Sequence, residues 1–518
     1  KSNSEFHRQK FLEFRRVTKH LINRDYNNYL SAIQSSFSVD PKNFWKYVRD
    51  KKNHTAIPGK VTYEDIEVTN PQDVVDKFRE YFLSVFNTSD VDSSNLRSSP
   101  NNNNNLHIHI SSISQDDILQ ALKNLKPNSC AGLDGIPAFF IKDCSSVLIE
   151  PLYILFNKCI RTGKFPTIWK ETRVCPILKG GDPSAIKNYR PISVLSNFGK
   201  LFESILYSYI YPLLKNAFNV NQHGFMAGRS TLTNLFSITQ YLSQELDQNK
   251  QVDVAYTDMS KAFDSITHNR LFLKLRSFGF SESTLALFQS YLLDRKLRVV
   301  FNGYKSQYYT QFSGVPQGSN LGPLLFLIYI DDIAHIIKHS RFELYADDLK
   351  IYKTINTYDD SLLLQEDIHN IVAWCTLNGL TLNILKCLIV SFTRKHTQII
   401  FNYVINEIII ARSKTVKDLG VIFDDTLSFR EHITNVVQTT FKLLGFIIRN
   451  AKPFNNVSLL KSIYCSLVRS KLEYCSLIYF PFYNYQSLAL ESVQRRFLKF
   501  MFYQQHREYP ILHIEETK

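Results

Sequence analysis

Apolar residues recur at three- and four-residue intervals through most of the first 86 positions. FLEFRRVTKHLI, DYNNYLSAIQ, PKNFWKYVRD and VVDKFREYFLSVF each read as an amphipathic helix with basic residues on its polar face. The pattern stops at residues 87–105, NTSDVDSSNLRSSPNNNNN, which offer almost nothing to bury and predict a disordered linker. Helical spacing resumes after Ser114, a good N-cap followed by acids. Within 173–195 the period changes, and a strand, a Gly-Gly-Asp-Pro turn and a second strand are predicted. Residues 197–249 read as helices interrupted by NQHGFMAGRST (221–231), and QVDVAYTDM (251–259) alternates as a strand. RKLRVVFNGYKSQYYTQF (295–312) predicts a hairpin turning at Asn302-Gly303, and SGVPQGSN (313–320) leads into a long apolar helix. LTLNILKCLIVSF (380–392) is strand-like and carries Lys386, KDLGVIFDD (417–425) is expected to close the sheet, and 430–518 is mostly helical.

The rest of the chain is organised around FELYADDLKIY (342–352). Apolar and aromatic residues flank Asp347 and Asp348 on both sides, with a strand-like rather than a helical period. Adjacent side chains on one strand point to opposite faces, so the two carboxylates act together only if the chain turns between them. A hairpin with Asp-Asp at its tip meets that condition. Carboxylates so close repel, and a third in the same place makes sense where divalent cations neutralise them. By itself an Asp-Asp pair is more often a solvated turn.

Other stretches change those odds. Asp258 ends the strand at 251–259 and can project into a cleft, whereas Asp264 reads as a helix-face or capping residue. Lys179 and Arg190 lie on the hairpin at 173–195, where a point charge and a planar fork suit a triphosphate. Tyr329-Ile330-Asp331-Asp332 repeats the letters of 345–348 except one, but it ends an apolar helix and is read as structural.

Lys and Arg outnumber Asp and Glu by 61 to 47, a net charge of +14 that favours a polyanionic partner. The eight cysteines form no Cys-x-x-Cys pair and read as free thiols. No apolar run approaches the length of a membrane span, so no membrane partner is expected. The first residue is Lys1, so the chain is expected to be a piece of a longer polypeptide.

AGLDGIP, PILKGGD, KNYRPISVL, DMSKAFDSI, GVPQGSNLGPLLFLIYIDD, YADDLKIY, LTLNILK and KDLGVIFDD occur in one order along the chain. In that order they resemble the reverse transcriptases of non-LTR retrotransposons, most of all the jockey-like elements. The resemblance implies an α+β right-hand polymerase with fingers, an antiparallel-sheet palm and a helical thumb. It divides the chain into a helical basic N-terminal extension (1–86), a Ser/Asn-rich linker (87–110), fingers and palm (111–428, core about 165–425) and a helical thumb region (429–518). It implies RNA-directed DNA synthesis from a primer 3′-hydroxyl by two-metal nucleotidyl transfer. Asp258, Asp347 and Asp348 match the metal-binding catalytic carboxylates, for two Mg2+ ions with Mn2+ as a substitute. Lys179, Arg190, Gln317 and Gly318 match the nucleotide site, and Phe263 matches the ring that excludes a ribose 2′-hydroxyl. Lys386 resembles the lysine that protonates departing pyrophosphate. The implied partners are template RNA, primer or target DNA and deoxynucleoside triphosphates, acting as a ribonucleoprotein in nucleus and cytoplasm. The endonuclease domain usual upstream in this family is not in this sequence, and Met226 stands where relatives often have Arg. The alternative is an inactive, nucleic-acid-binding remnant of such an element.

Overall fold

The computed structural model describes residues 5–37, 40–52, 60–86 and 106–508. The expected linker at 87–105 lies outside the described residues. Two compact units are present: 57–419 with 425–427, and 1–56 with 420–424 and 428–518.

The larger unit is built on a five-stranded sheet. Its order is Ala411–Arg412, Leu388–Phe392, Gln251–Thr257, Asp348–Ile355 and Arg341–Tyr345. All neighbours are antiparallel except the edge pair of Leu388–Phe392 with Ala411–Arg412. Val252, Val254 and Ala255 of the central strand are fully buried, as a strand covered on both faces requires. The register sets Ala255 opposite both Ile351 and Ile389. These three join one core with Leu364, Ile368 and Ile371 of the helix Tyr358–Leu377 and with the helix Gly322–Ile330. Every residue of Gly322–Ile330 except Pro323 is buried, so its lack of an amphipathic period follows from burial all round.

A second sheet has the order Tyr189–Val194, Glu171–Leu178, Arg295–Phe301, Tyr304–Lys305, with Tyr309–Gln311 also paired to Arg295–Phe301. The hairpin at 173–195 forms as expected, with Ile177 opposite Arg190. Asn302 and Gly303 both take positive φ, the backbone that a two-residue hairpin loop needs. The helix Pro71–Ser84 is capped by Asn70 and packs Phe78 edge-on against Tyr189, with ring centroids 5.1 Å apart. The expected extension 1–86 is therefore divided, because residues 61–86 pack with this sheet.

The smaller unit joins the two ends of the chain. FLEFRRVTKHLI and DYNNYLSAIQ form one continuous helix, Glu5–Ser36, whose Leu30 and Ile33 are buried. Phe44 and Tyr47 of Lys42–Lys52 pack on Phe454, with centroids 5.7 and 5.3 Å apart. Tyr464 stacks on Phe497 of the helix Asn484–His506 at 4.1 Å. The strand Val421–Asp424 is not part of the five-stranded sheet that KDLGVIFDD was expected to close, because the pairing edge is taken by Ala411–Arg412.

Candidate active site

Tyr345 pairs with Asp348 in the hairpin register, so the turn consists of Ala346 and Asp347. The expected Asp-Asp tip is thereby corrected: Asp347 lies in the loop and Asp348 opens the next strand. Ala346 has φ +59°, a left-handed backbone within the two-residue turn between the strands. Leu349 lies opposite Thr257, so the chain leaves the central strand at Asp258 beside the turn.

The segment 221–224 clamps this turn. Leu344 N–H donates to Asn221 O and His223 N–H to Leu344 O, both at 2.9 Å. Gln222 Oε1 accepts from Gly224 N–H at 2.8 Å and Ala346 N–H at 3.0 Å. A Cβ on Gly224 would lie 2.3 Å from Ala346 N, so only glycine permits this approach. By sequence NQHGFMAGRST reads as an interruption between helices, and nothing local marks Gln222 as a support. Met226, in the same stretch, is buried in the core.

The three carboxylates repel one another. Asp347 is raised from its ordinary value by burial first, then by Asp258, with Arg190 and Lys386 opposing. Asp348 is pushed up to about 6 by crowding protein, then by Asp347, Asp418 and Asp258. Asp418 is buried in an ion pair with Lys350. Lys386 Nζ donates to Asp258 Oδ2 at 3.1 Å. Lys386 does not lie on a strand as expected: Ile384–Lys386 form a single 3-10 turn after Asn383, whose N–H bonds Asp258 O at 2.8 Å. That turn brings the ammonium back over the carboxylate.

Acceptor-only oxygens that destabilise one another match the donor chemistry of a hard divalent cation. Among the described residues, no three His, Cys, Asp or Glu side chains stand ready as a closed metal site.

Lys179 and Arg190 are exposed on their hairpin, held by Lys179 N–H to Asn188 O at 2.8 Å. Lys179 is lowered from its usual value, first by partial desolvation and then by Arg190. Gly318 has φ +110°, and a Cβ there would meet Ser193 O at 2.9 Å. Ser193 N–H donates to Gln317 O at 2.7 Å, which ties this loop to the strand of Arg190. Phe263 stacks on Phe326 at 4.3 Å and 12° and meets Phe225 edge-on at 5.8 Å. Asp264 corrects the capping assignment: it is buried, and both its oxygens accept from Gln317 Nε2, at 2.7 and 2.8 Å.

Asp331 and Asp332, read as structural in the sequence, both have protein partners. Asp331 is buried and accepts from Asn219 N–H at 2.8 Å. Asp332 Oδ1 accepts from Lys274 Nζ at 2.8 Å and Trp374 Nε1 at 3.0 Å.

Residues 177–448 match the family model described as reverse transcriptase (RNA-dependent DNA polymerase). The chain is 28% identical over 340 residues to the probable RNA-directed DNA polymerase from transposon BS of Drosophila melanogaster, covering 63% of this chain and 37% of that protein. It is 28% identical over 335 residues to the RNA-directed DNA polymerase from mobile element jockey of Drosophila funebris, covering 62% and 36%. The Drosophila melanogaster jockey protein matches at 25% over 391 residues, covering 72% and 42%. The chain thus spans about two fifths of the length of these curated relatives. With the matched segment exceeding half of the sequence and the paired aspartates lying inside it, the chain belongs to the reverse transcriptase family and is related to the polymerases of jockey-like non-LTR retrotransposons.

Proposed function

We propose that this chain carries the RNA-directed DNA polymerase centre of a non-LTR retrotransposon protein, extending a primer 3′-hydroxyl on an RNA template with deoxynucleoside triphosphates. The observation that carries the reading is the two-residue turn at Ala346-Asp347, which sets Asp347 and Asp348 beside Asp258 in one mutually repelling group. These three carboxylates are proposed to hold two Mg2+ ions, with Mn2+ as a substitute. Bound there, the cations supply activation of the 3′-hydroxyl and neutralisation of the pyrophosphate charge. Lys179 and Arg190 hold the triphosphate by point charge and planar fork. Gln317 and Gly318 form the surface under the nucleotide, where a bare backbone permits close approach. Phe263, braced by Phe326, blocks a ribose 2′-hydroxyl. Lys386, within reach of Asp258, protonates pyrophosphate as it leaves.

The two sheets correspond in this reading to palm and fingers, and the helical unit to the thumb. Arg495, Arg496 and Lys499 line an open groove of that unit with Phe441 and Tyr503, a surface suited to a duplex backbone. The described residues contain no helix long and apolar enough to cross a membrane. Work in nucleus and cytoplasm as a ribonucleoprotein, with an endonuclease domain supplied from elsewhere in a longer protein, completes the proposal.

The test is primer extension on poly(rA)–oligo(dT) with magnesium and dTTP, run beside Asp347→Ala. Extension by the parent and none by the folded variant supports the reading. A folded parent that binds the duplex without extending it favours the inactive remnant.

A further inference from the structure

Asp264 lies in the short helix Ala262–Ser265, six residues beyond Asp258, and only 7% of it is exposed. Its surroundings are tied to it by backbone bonds. Ser313 Oγ donates to Asp264 O at 2.6 Å, Gly314 N–H to Ile266 O at 2.7 Å and Val315 N–H to Phe263 O at 3.0 Å. A Cβ on Gly314 would stand 2.7 Å from Asp264 Cα. The turn bearing Phe263 and the loop bearing Gln317 therefore form one body. On the far side, Gln317 O accepts from Ser193 of the strand that carries Arg190.

Within that body, one contact decides the direction of an amide. A glutamine amide presents a donor and an acceptor that can exchange places by rotation. An ionised carboxylate accepts only, so the group that faces Asp264 has to be the NH2. Both contacts are made through Nε2, at 2.7 and 2.8 Å, and Oε1 is left to accept from another donor. Lys179, Lys261 and Arg190 all act on Asp264 electrostatically, and Lys261 Nζ is seated over the Tyr81 ring at 4.8 Å. Burial pushes the Asp264 carboxyl up to about 6, with Gln317 and these cations opposing, so it is ionised at pH 8.

We propose that Asp264 is a positioning residue of the nucleotide site: its two oxygens share an N–H of Gln317 Nε2 and thereby present Oε1 to a donor on the incoming nucleotide. The proposal rests on the polymerase reading above. It predicts that Asp264 acts through Gln317 and on nucleotide affinity more than on the chemical step.

The experiment uses the full chain on poly(rA)–oligo(dT) at pH 8. One arm measures dTTP binding with a dideoxy-terminated primer, so that no chemistry occurs. The other measures kcat and KM for dTTP with an extendable primer. Asp264→Asn, which offers the amide only one acceptor, is expected to weaken dTTP about tenfold in both arms, the loss of one charge-assisted hydrogen bond. The kcat at saturating dTTP is expected to change less than about threefold. Gln317→Ala is expected to show a similar loss, and the Asp264→Asn/Gln317→Ala double variant to lose no more than either alone. Unchanged dTTP affinity in folded Asp264→Asn overturns the proposal, and so do losses that multiply in the double variant. Where Asp264→Asn does not fold, Gln317→Met, which keeps the length and removes the amide, has to weaken dTTP alike; retained affinity overturns the proposal. A parent that binds dTTP but does not extend removes the polymerase reading alone, and the pair is then judged on binding. A parent that binds no dTTP removes both.

Discussion

Gln222 holds the turn of the paired aspartates through the backbone N–H of Ala346, which donates to its Oε1 at 3.0 Å. Gly224 N–H shares the same acceptor at 2.8 Å, so one amide oxygen satisfies two buried donors. Gln222→Ala leaves both without a partner in a site closed to water. The expected cost is about 1–3 kcal/mol in urea unfolding, with slower primer extension even at saturating dTTP. Full activity at unchanged stability would show that the turn holds itself.

Gly224→Ala is expected to be worse than Gln222→Ala. The added Cβ would sit 2.3 Å from Ala346 N and 2.9 Å from Tyr345 C, and both obstacles are backbone. Thermal unfolding is expected to show a loss of more than about 2 kcal/mol, or failure to fold. A soluble variant with parental Tm would refute the close approach.

The two Asp-Asp pairs separate function from stability. Asp348→Asn removes a carboxylate that its neighbours repel, so incorporation is expected to vanish while Tm stays level or rises. Asp332→Asn deprives the buried Lys274 ammonium of its charged partner, and a lower Tm with activity kept in the folded fraction is expected. The reverse pattern would move the active centre to residues 331–332.

Phe263→Val shortens a ring stacked on Phe326 at 4.3 Å. Discrimination between dTTP and UTP in primer extension is expected to fall by at least about tenfold. Lost stacking and packing are expected to cost about 1–2 kcal/mol. Unchanged sugar selectivity would make Phe263 a packing residue only.

Asp331 gives a pH signature remote from the proposed chemistry. Burial raises its carboxyl to about 6 from an ordinary 3.8, with the Asn219 N–H opposing. The folded state therefore binds more protons than the unfolded state between those values, and this group destabilises the fold as pH rises through 6. Asp331→Asn keeps an acceptor for Asn219. It is expected to be more stable than the parent at pH 7.5, with the difference shrinking toward pH 5 in parallel urea titrations. A difference independent of pH would show that Asp331 titrates normally.

Local pattern reached far into this molecule because period and turn chemistry are local properties. The alternation ending at Asp258, the Asn302-Gly303 turn and the Ser114 cap, closed by Asp117, all read directly from neighbouring residues. The motifs that carry Asp258, Asp347 and Asp348 lie at the ends of neighbouring strands of one sheet: Asp258 follows Gln251–Thr257, Asp347 lies in the turn and Asp348 opens Asp348–Ile355. Lys386 reads as strand because a 3-10 turn and the start of a strand share an apolar run; the turn is set by its own bonds, such as Lys386 N–H to Asn383 O, and by the bond from Asn383 N–H to Asp258 O.

What the sequence determined by itself was the kind of most elements and the residue types able to do chemistry. Tertiary structure alone decided which carboxylate has which neighbour. Asp264, set aside as a cap, is buried against Gln317, 53 positions away, whereas Asp332, which shares the letters of the active pair, is consumed by Lys274 and Trp374. The helix Lys42–Lys52 likewise meets the connection between Arg430–Ala451 and Val457–Tyr464, through Phe44 and Tyr47 on Phe454, a contact between distant parts of the chain. The physical reason is common to all three: hydrogen-bond partners and core neighbours are chosen by long-range packing, and side-chain spacing carries no record of a partner that is dozens or hundreds of residues away.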